Sequence, residues 1–201
     1  MRLLEKRTPE EKLFDTDKVF DLIYPSSIQL LALPHWTPIE VAKKAAHFLA
    51  MEDNSRILDI GSGVGKFCLT AAHFKPKSIF YGIEQRERLV NEADAAKQTL
   101  HVRNAFFING NFTQIDFSNY DHFYFFNSFY ENLVARDKID NSIEYSGELF
   151  NYYNHYLYNQ LDQRPAGTKL VTYHSLEYEV PKSYHVKYSQ MDNLLKYWVK
   201  I

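Results

Sequence analysis

The sequence predicts an α/β fold, a doubly wound and mostly parallel sheet of seven strands with a C-terminal antiparallel hairpin and an N-terminal helical cap. Short apolar runs alternate with helical stretches between residues 56 and 174, and such alternation is typical of a parallel sheet covered by helices. The run 123–126 is wholly aromatic, which indicates a strand buried on both faces. The last two strand-like runs are separated only by a short turn, so we expect them to pair antiparallel.

The N-terminal part is predicted to be helical. Residues 1–12 are charged and favour a helix or a frayed arm, 17–24 reads as a helix that a proline ends, and the apolar run 28–33 follows. We therefore place a helical cap, or lid, over residues 1–36 and the main domain over residues 37–201.

The clearest helix start in the sequence lies at Thr37. Pro38 would take the first helical position, where the missing N–H costs nothing. Glu40 follows Thr37 by three residues, so its carboxylate can reach back and complete a capping box. The helix is expected to continue to residue 49.

Alternation continues to the end of the chain. Apolar and β-branched runs predict the strands, and the longer stretches between them predict helices. The predicted strands span residues 56–60, 78–84, 105–109, 122–126, 169–174, 184–189 and 194–201, and the predicted helices after residue 60 span residues 65–74, 87–100 and 146–161. Five tyrosines on or beside the last helix are expected to pack against the sheet rather than to stack on nucleobases.

Composition narrows the functional classes. The chain has 201 residues, of which 45% are hydrophobic and 24% charged, with a formal net charge of −2. That charge provides no overall positive field to attract nucleic acid or an anionic membrane, but it leaves a local basic patch open. RNA could dock on such a patch, formed by Lys75, Lys77, Arg86 and Arg88.

Cysteine usage and hydropathy predict a cytoplasmic protein. Cys68 is the only cysteine, so it cannot form an internal disulfide, and its apolar surroundings predict a buried core thiol. The charged residues 1–12 do not resemble a signal peptide, and no apolar run approaches the roughly 18 residues that a membrane span requires. The eight histidines are scattered without metal-ligand spacing, so we predict no metal site.

A glycine-rich turn follows the first predicted strand in the run 59–65, Asp-Ile-Gly-Ser-Gly-Val-Gly. A phosphate-binding loop would need glycine at Ile60 and a hydroxyl residue at Phe67. A dinucleotide fold would need its third glycine at Lys66. The turn fits neither pattern, although its position after a buried strand predicts a small-molecule pocket.

The run 59–65 resembles the first motif of the class I S-adenosylmethionine-dependent methyltransferases, (D/E)-x-G-x-G-x-G. The resemblance covers roughly residues 37–174, and it implies S-adenosylmethionine as the cofactor. A carboxylate such as Asp59 would suit the cofactor's amino group, directly or through water. The resemblance implies that cofactor-binding residues in this run are Asp59, Gly61, Ser62, Gly63 and Gly65.

Two further polar positions follow the next strands in the order that the family shows. Glu84 ends the second strand, where a carboxylate can accept both ribose hydroxyls; alternatively it only caps the following helix. Asn111 follows the third strand, and the resemblance implies that its side-chain oxygen and the Phe112 N–H meet the adenine ring. The alternative is a simple Asn-Gly turn.

The residues after the fourth strand, Asn127-Ser128-Phe129-Tyr130, resemble the (D/N)-P-P-(Y/F) motif of amino-group methyltransferases. The resemblance implies that Asn127 orients the acceptor nitrogen and that Tyr130 packs against the substrate. Ser128 stands where the family has proline, which predicts a less rigid loop. The alternative is a helix cap at Asn127 or Ser128, and Glu131 reads as an exposed first-turn acid.

Together these motifs predict a methyltransferase that acts on a nitrogen. The sequence does not decide whether the acceptor is a protein side chain, a nucleobase of RNA or DNA, or a small amine. The segment 24–38 is the natural lid, in which Trp36 and Thr37 could touch the cofactor. A protein that keeps the cofactor pocket but only binds a partner is the alternative function, which labelled-methyl transfer would separate from the first.

Overall fold

Seven strands form one sheet in the computed structural model, which describes residues 8–133, 139–175 and 177–201. The strands are β1 (Arg56–Ile60), β2 (Ile79–Glu84), β3 (Ala105–Asn109), β4 (His122–Phe126), β5 (Lys169–Tyr173), β6 (Tyr184–Gln190) and β7 (Leu195–Lys200). Their order across the sheet is β3-β2-β1-β4-β5-β7-β6. Strands β1 to β5 are parallel, while β7 pairs antiparallel with both β5 and β6.

This topology confirms the predicted fold class. Chain order reverses at β1, because β2 and β3 extend the sheet on one side and β4 and β5 on the other. The crevice at the carboxyl ends of the strands beside such a reversal is where open α/β sheets bind ligands. The predicted C-terminal hairpin is also present, and every predicted strand agrees with the observed one to within a residue at each end.

Helices cover both faces of the sheet. They are α1 (Pro9–Leu13), α2 (Asp17–Asp21), α3 (Ser26–Gln29), α4 (Ala32–His35), α5 (Ile39–Leu49), α6 (Lys66–Phe74), α7 (Glu87–Thr99) and α8 (Gly147–Asp162). Residues of α5, α6 and α7 share one apolar core with Ile57. Residues of α8 share a second core with Leu58 and Ile60, as expected when successive side chains of a strand point to opposite faces.

The described N-terminal residues are helical and pack into the first of these cores. Phe14, Phe20 and Ile28 are almost completely buried there. Lys66, at the start of α6, is only 4% exposed and lies 2.7 Å from Asp17 and 2.6 Å from Asp21 of α2. The predicted helical cap is therefore tied to the glycine-rich turn through a buried ion-pair cluster, while the boundary at residue 36 stays a prediction.

The predicted capping box at Thr37 is wrong. Helix α5 begins at Ile39, and neither Pro38 nor Thr37 caps it through a side chain. The Thr37 hydroxyl instead shares a buried hydrogen bond of 3.0 Å with the Tyr124 hydroxyl of β4. The Ile39 N–H donates to Asp17 Oδ1 at 2.9 Å, so a residue of α2 satisfies the helix end that the local pattern assigned to Thr37.

Several predictions from composition can be compared with the structure. Cys68 is completely buried, as predicted for a core thiol. On α8, Tyr153 and Tyr156 pack against the second core, whereas Tyr152 is 53% exposed, so the predicted packing face is narrower than the run of tyrosines. Across residues 8–133, 139–175 and 177–201, no helix has the length and apolar character to cross a membrane.

Candidate active site

A cavity of about 460 Å³ opens at the carboxyl ends of the five parallel strands. This volume lies within the range of roughly 300–1,000 Å³ that small-molecule sites occupy. Its walls come from the N-terminal segment, the glycine-rich turn and the loops after β2, β3, β4 and β5. The N-terminal contribution is Leu31, His35, Trp36, Thr37 and Pro38, so both residues predicted to touch the cofactor from the lid line the cavity.

The glycine-rich turn adopts left-handed backbone conformations that favour glycine. Gly61, Gly63 and Gly65 have φ of 76°, 52° and 77°. Gly61 and Gly63 line the cavity, and a Cβ atom added at Gly63 would meet nothing within 4 Å. The backbone at Gly63 is thus open to a ligand. The sequence had predicted a small-molecule pocket at this turn.

Gly65 serves a different contact. It does not line the cavity, and a Cβ atom there would lie 2.4 Å from the Phe107 ring of β3 and 3.0 Å from Ala93 of α7. Gly65 therefore allows the start of α6 to pack closely against its neighbours. Its direct contact with a cofactor stays a prediction, and Gly65 itself lies outside the cavity wall.

Ser62 lines the cavity, and its hydroxyl is buried without a hydrogen-bond partner among the described residues. The Ser62 side chain also packs over Gly82 of β2, where a Cβ atom would lie 2.6 Å from it. A buried hydroxyl without a partner costs free energy unless a ligand or water supplies one. Its position therefore fits the predicted role in ligand binding.

Asp59 is a buried acid that lines the cavity. It is 3% exposed, and burial raises the pKa of its carboxyl group to about 8, partly opposed by a hydrogen bond from Cys68. The Cys68 Sγ donates to Asp59 Oδ2 at 3.7 Å. No cation within the described residues pairs with Asp59, so a positively charged ligand group would relieve the cost of ionising it.

Glu84 joins the glycine-rich turn to β2. Its Oε2 accepts from the Gly63 N–H at 3.2 Å, and its Oε1 accepts from the Arg86 N–H at 2.9 Å. Burial raises the pKa of Glu84, while the hydrogen bonds and the charge of Arg86 oppose that shift. The carboxylate lines the cavity and also accepts from the N–H of Arg86, the residue that precedes α7, while its contact with a ribose stays a prediction.

Arg86 is the centre of an ion-pair network beside the cavity. Its guanidinium contacts Glu84 at 3.3 Å, Glu131 at 2.8 Å and Asp140 at 3.3 Å, and donates to the Tyr145 hydroxyl at 2.7 Å. The Arg86 side chain is only 4% exposed. It therefore cannot belong to the exposed basic patch that the sequence suggested.

Glu131 differs from its prediction for the same reason. Its side chain is 12% exposed and accepts from Arg86 instead of facing solvent. Of the other three residues in the suggested basic patch, Lys77 is paired with Asp53 at 2.8 Å and Arg88 donates to Ser27 Oγ at 3.4 Å. Both Lys77 and Arg88 are exposed.

The side chain of Asn111 lies outside the cavity wall. Its Oδ1 accepts from the N–H and the hydroxyl of Thr113, and its Nδ2 donates to Gln85 and Tyr153. The N–H and the hydroxyl of Thr113 therefore occupy the oxygen that the resemblance assigned to the adenine amine, and that contact stays a prediction. Phe112 does line the cavity, and its role stays a prediction.

The loop after β4 brings the predicted acceptor residues to the cavity. Asn127 and Tyr130 both line it, Asn127 with a left-handed φ of 39° and Tyr130 with 43% of its surface exposed. The sequence predicted a less rigid loop because Ser128 stands where the family has proline, but Ser128 holds the loop in place. Its hydroxyl donates to the Ile60 carbonyl at 2.7 Å, which fastens the loop to the end of β1.

Among the cavity residues that the sequence reasoning missed, three carry polar side chains that bear on the chemistry. His174 and Tyr173 come from the end of β5, and His35 comes from α4. The signal for His174 was its position directly after a parallel strand, which is the position that also selected Asn127. Within the described ranges, no group of three or more histidine, cysteine or acidic residues could hold a metal ion.

The cavity fits the predicted cofactor on three observations. Open space lies over the Gly63 backbone, the buried carboxyl group of Asp59 has no cation beside it among the described residues, and the second carboxylate, Glu84, borders the same turn. S-adenosylmethionine carries an amino group and ribose hydroxyls but no phosphate. Correspondingly, Lys66 points its ammonium at Asp17 and Asp21 and not at a phosphate position.

Two known proteins resemble this chain over part of their own length. A tRNA (guanine-N(7)-)-methyltransferase of Microcystis aeruginosa is 44% identical over 54 residues, which are 27% of this chain and 26% of that protein. The solved structure of TrmN from Thermus thermophilus has a TM-score of 0.58 at 18% identity, over 87% of this chain and 52% of that one. The chain thus spans about a quarter of the first relative and about half of the second.

A second solved structure matches over most of both chains. It is an RNA methyltransferase from Salinibacter ruber in complex with S-adenosyl-L-homocysteine, with a TM-score of 0.56 at 18% identity, covering 83% of this chain and 94% of that one. These structures share the fold. The family model of the methyltransferase domain matches residues 51–196, and the chain therefore belongs to the methyltransferase-domain family, the class I S-adenosylmethionine-dependent enzymes that the sequence resembles.

Proposed function

We propose that this chain transfers the methyl group of S-adenosylmethionine to a nitrogen of an RNA nucleobase. The observation that carries the proposal is that Asn127 lines the same cavity as Gly61 and Gly63. An amide side chain that can hold an amino group thus faces the turn that the family uses for its cofactor. The cavity joins the two halves of a transfer reaction in a single space.

The cofactor half is assigned to the carboxylates and the turn. Asp59 would receive the cofactor's amino group, since a cation stabilises a buried carboxylate. Glu84 would accept from the ribose hydroxyls, and the Phe112 N–H would meet the adenine ring. The turn residues assigned to the cofactor are Gly61, Ser62, Gly63 and Gly65, with the last acting through packing, and Asn111 would support Phe112 through its cap.

The acceptor half is assigned to the ends of β4 and β5. The carboxamide oxygen of Asn127 can accept a hydrogen bond from an amino group and so orient the nitrogen lone pair. The rings of Phe126, Tyr130 and Tyr173 also line the cavity. Flat aromatic surfaces favour a flat acceptor, because bases stack on aromatic side chains with about 1–3 kcal/mol each.

Positioning is the main demand of this reaction. The bound cofactor supplies an electrophilic methyl group on a sulfonium. Asn127 orients the nitrogen, and the fastening of Ser128 to Ile60 keeps the orienting residue in place. Holding two reactants in line in this way can lower a barrier by roughly 7–11 kcal/mol.

RNA is the acceptor class that the relatives support. The curated relative is named for tRNA methylation and the Salinibacter structure for RNA methylation. RNA bases are recognised where they are unstacked and can reach aromatic side chains. Enzymes that modify a base in this way take it out of the stack into their active site.

Transfer of labelled methyl groups tests the proposal. The protein and tritiated S-adenosylmethionine are incubated in three separate reactions with total RNA, total protein or small-molecule extract. All three extracts come from a strain that lacks the gene. Label in RNA nucleosides carrying N-methyl groups is the expected result. Label confined to protein or to small molecules contradicts the RNA assignment, and cofactor binding with no labelled product supports a binding module instead.

A further inference from the structure

Asn127 and His174 occupy equivalent positions on neighbouring strands. Strands β4 and β5 run parallel, and Phe126 pairs with Tyr173 at the end of their ladder. Asn127 and His174 are the next residue on each strand. Neighbouring strands lie roughly 4.8 Å apart, so the two residues leave the sheet side by side at its carboxyl edge.

Both residues also share an uncommon backbone conformation. Asn127 has φ of 39° and His174 has φ of 57°. Only a few per cent of non-glycine residues take positive φ, and such residues cluster at functional sites. Here the pair lines a single cavity, which is the one that contains the glycine-rich turn.

The imidazole of His174 is held by aromatic rings. Its centroid lies 4.3 Å from that of Tyr173 and 5.7 Å from that of Phe126. Neither ring nitrogen has a hydrogen-bond partner among the described residues, whereas the His174 backbone N–H donates to the Leu194 carbonyl at 2.9 Å. His174 is exposed and lines the cavity, so its imidazole is accessible to a ligand bound there.

Partial burial, and not a neighbouring charge, favours the neutral ring of His174. Partial burial lowers the pKa of His174, and no charged group contributes to that shift. The other titratable side chains that line the cavity are His35, Asp59, Lys66, Glu84, Arg86, Tyr130, Glu131 and Tyr173. Lys66 is paired with Asp17, and Arg86 is paired with Glu131. The imidazole therefore stays available to take a proton near neutral pH.

We propose that His174 is the general base of the reaction and that the acceptor nitrogen carries a hydrogen. This inference rests on the proposed function and narrows its substrate class to an exocyclic amine or a ring N–H of a nucleobase. As the N–C bond forms, the S–C bond breaks and its electron pair stays on sulfur. The proton on the nitrogen moves to a ring nitrogen of His174 and then to water.

This substrate class differs from a ring nitrogen without hydrogen. Purine N7 is an acceptor position with no proton to lose, and a general base would serve no purpose there. The relative from Microcystis aeruginosa is named for guanine N7. If Asn127 orients the nitrogen and His174 takes its proton, we expect the methyl group at another position of the base.

Substitution of His174 by asparagine tests the base directly. Asparagine tolerates a left-handed backbone but cannot take up a proton at neutral pH. The matched control is His101→Asn, because His101 is exposed, lies outside the cavity and has φ of 52°. With total RNA as substrate, kcat of His174→Asn is expected to fall by about 100-fold or more, while His101→Asn keeps the kcat of the unsubstituted protein.

The pH profile separates a base from a structural role. In the unsubstituted protein, kcat is expected to fall on the acid side as His174 becomes protonated, with an apparent pKa below the usual value of about 6.5. His174→Asn should lack this acid limb and keep the cofactor Kd measured by calorimetry. An unchanged kcat and acid limb in His174→Asn would overturn the assignment of the base.

Identification of the product separates the inference from the proposed function. Nucleosides from labelled RNA are digested and separated by mass spectrometry. A methyl group on an exocyclic amine or a former ring N–H supports the inference, and a methyl group on purine N7 overturns it while leaving RNA methylation intact. If the unsubstituted protein transfers no methyl to RNA, the proposed function falls and the base assignment falls with it.

Discussion

The backbone of Gly61 and the side chain of Ser128 are in direct contact between the ends of β1 and β4. The Ser128 hydroxyl donates to the Ile60 carbonyl at 2.7 Å, and a Cβ atom on Gly61 would lie 2.4 Å from Ser128 Cβ. The cofactor turn and the acceptor loop are thus packed against each other without room for an added atom. A single contact positions both halves of the proposed site.

Gly61→Ala is expected to destabilise the protein more than Gly63→Ala. Both positions have positive φ, but a Cβ atom meets Ser128 at Gly61 and nothing within 4 Å at Gly63. The comparison therefore isolates the steric contact from the backbone strain, and overpacking costs roughly 1–3 kcal/mol. Urea unfolding of both variants measures the difference in free energy, and equal values would contradict the contact.

Gly63→Arg is expected to abolish binding of S-adenosylmethionine. The backbone at Gly63 faces the cavity, so an arginine side chain there would fill the space proposed for the cofactor. Gly167→Arg is the matched control, because Gly167 has φ of 89°, open space around it and a position outside the cavity. Calorimetry should show binding by Gly167→Arg alone. Retained binding by a folded Gly63→Arg would mean that the cofactor lies elsewhere.

The affinity for S-adenosylmethionine is expected to rise with pH. Burial raises the pKa of Asp59 to about 8, so this carboxyl group is protonated in the free protein at neutral pH. Pairing with the cofactor's ammonium requires the ionised form, and binding therefore releases a proton. Lowering the pH makes that release more costly and weakens binding.

The measurement compares the Kd at about pH 6 and pH 7, where an α-amino group with a pKa near 8 stays protonated. A loss of up to about tenfold in affinity is expected at the lower pH, since one proton is released per cofactor. Asp59→Asn should bind more weakly at pH 7 and show no such slope. An unsubstituted protein whose Kd does not change between these pH values would exclude Asp59 as the partner of the amino group.

Asn127→Ala is expected to lower kcat while leaving the cofactor Kd nearly unchanged. The side chain is proposed to orient the acceptor nitrogen and not to bind the cofactor, and misplacing a reactant costs about 100-fold in rate. Asn54→Ala is the control, because Asn54 is exposed and also left-handed, with φ of 63°. Turnover by Asn127→Ala at the level of Asn54→Ala would show that the orienting group is another residue.

The fold could be predicted because its signals are local. Each strand is a short apolar run, and the glycine-rich turn, Glu84 and Asn127 lie at the carboxyl ends of β1, β2 and β4. Parallel strands bring such positions to one edge whatever the details of the loops. The helix start predicted at Thr37 was wrong because Asp17, which accepts from the Ile39 N–H, lies 22 residues before Ile39, and no local pattern indicates that contact.

The site could be predicted less completely because its electrostatics depend on distant segments. Arg86 contacts Glu131 and Asp140, which lie 45 and 54 residues further along the chain. Its burial could not be read from neighbours in the sequence. Asn111 is the opposite case, since the capping box that it forms with Gln114 is local and could have been recognised from spacing alone.

Arg86→Met is expected to destabilise the protein strongly and more at neutral than at acidic pH. The guanidinium is the counter-charge of Glu84 and Glu131, whose side chains are 6% and 12% exposed. Removing one partner of a buried ion pair costs about 3–5 kcal/mol, because the remaining charge stays buried. Burial already raises the pKa of Glu84, and the charge of Arg86 would no longer oppose that shift, so the loss should shrink as the pH falls and this carboxylate takes up a proton.

Two further variants separate charge from geometry in this network. Arg86→Lys keeps the charge but not the planar fork that holds several acceptors at once, so its loss of stability should lie between those of the unsubstituted protein and Arg86→Met. Arg88→Met is the control for removing an exposed arginine and should stay within about 0.5 kcal/mol. Urea unfolding at two pH values measures all three. A loss in Arg86→Met that is small or independent of pH would mean that Glu84 and Glu131 do not need this counter-charge, and that the acceptor loop is held to β2 by packing alone.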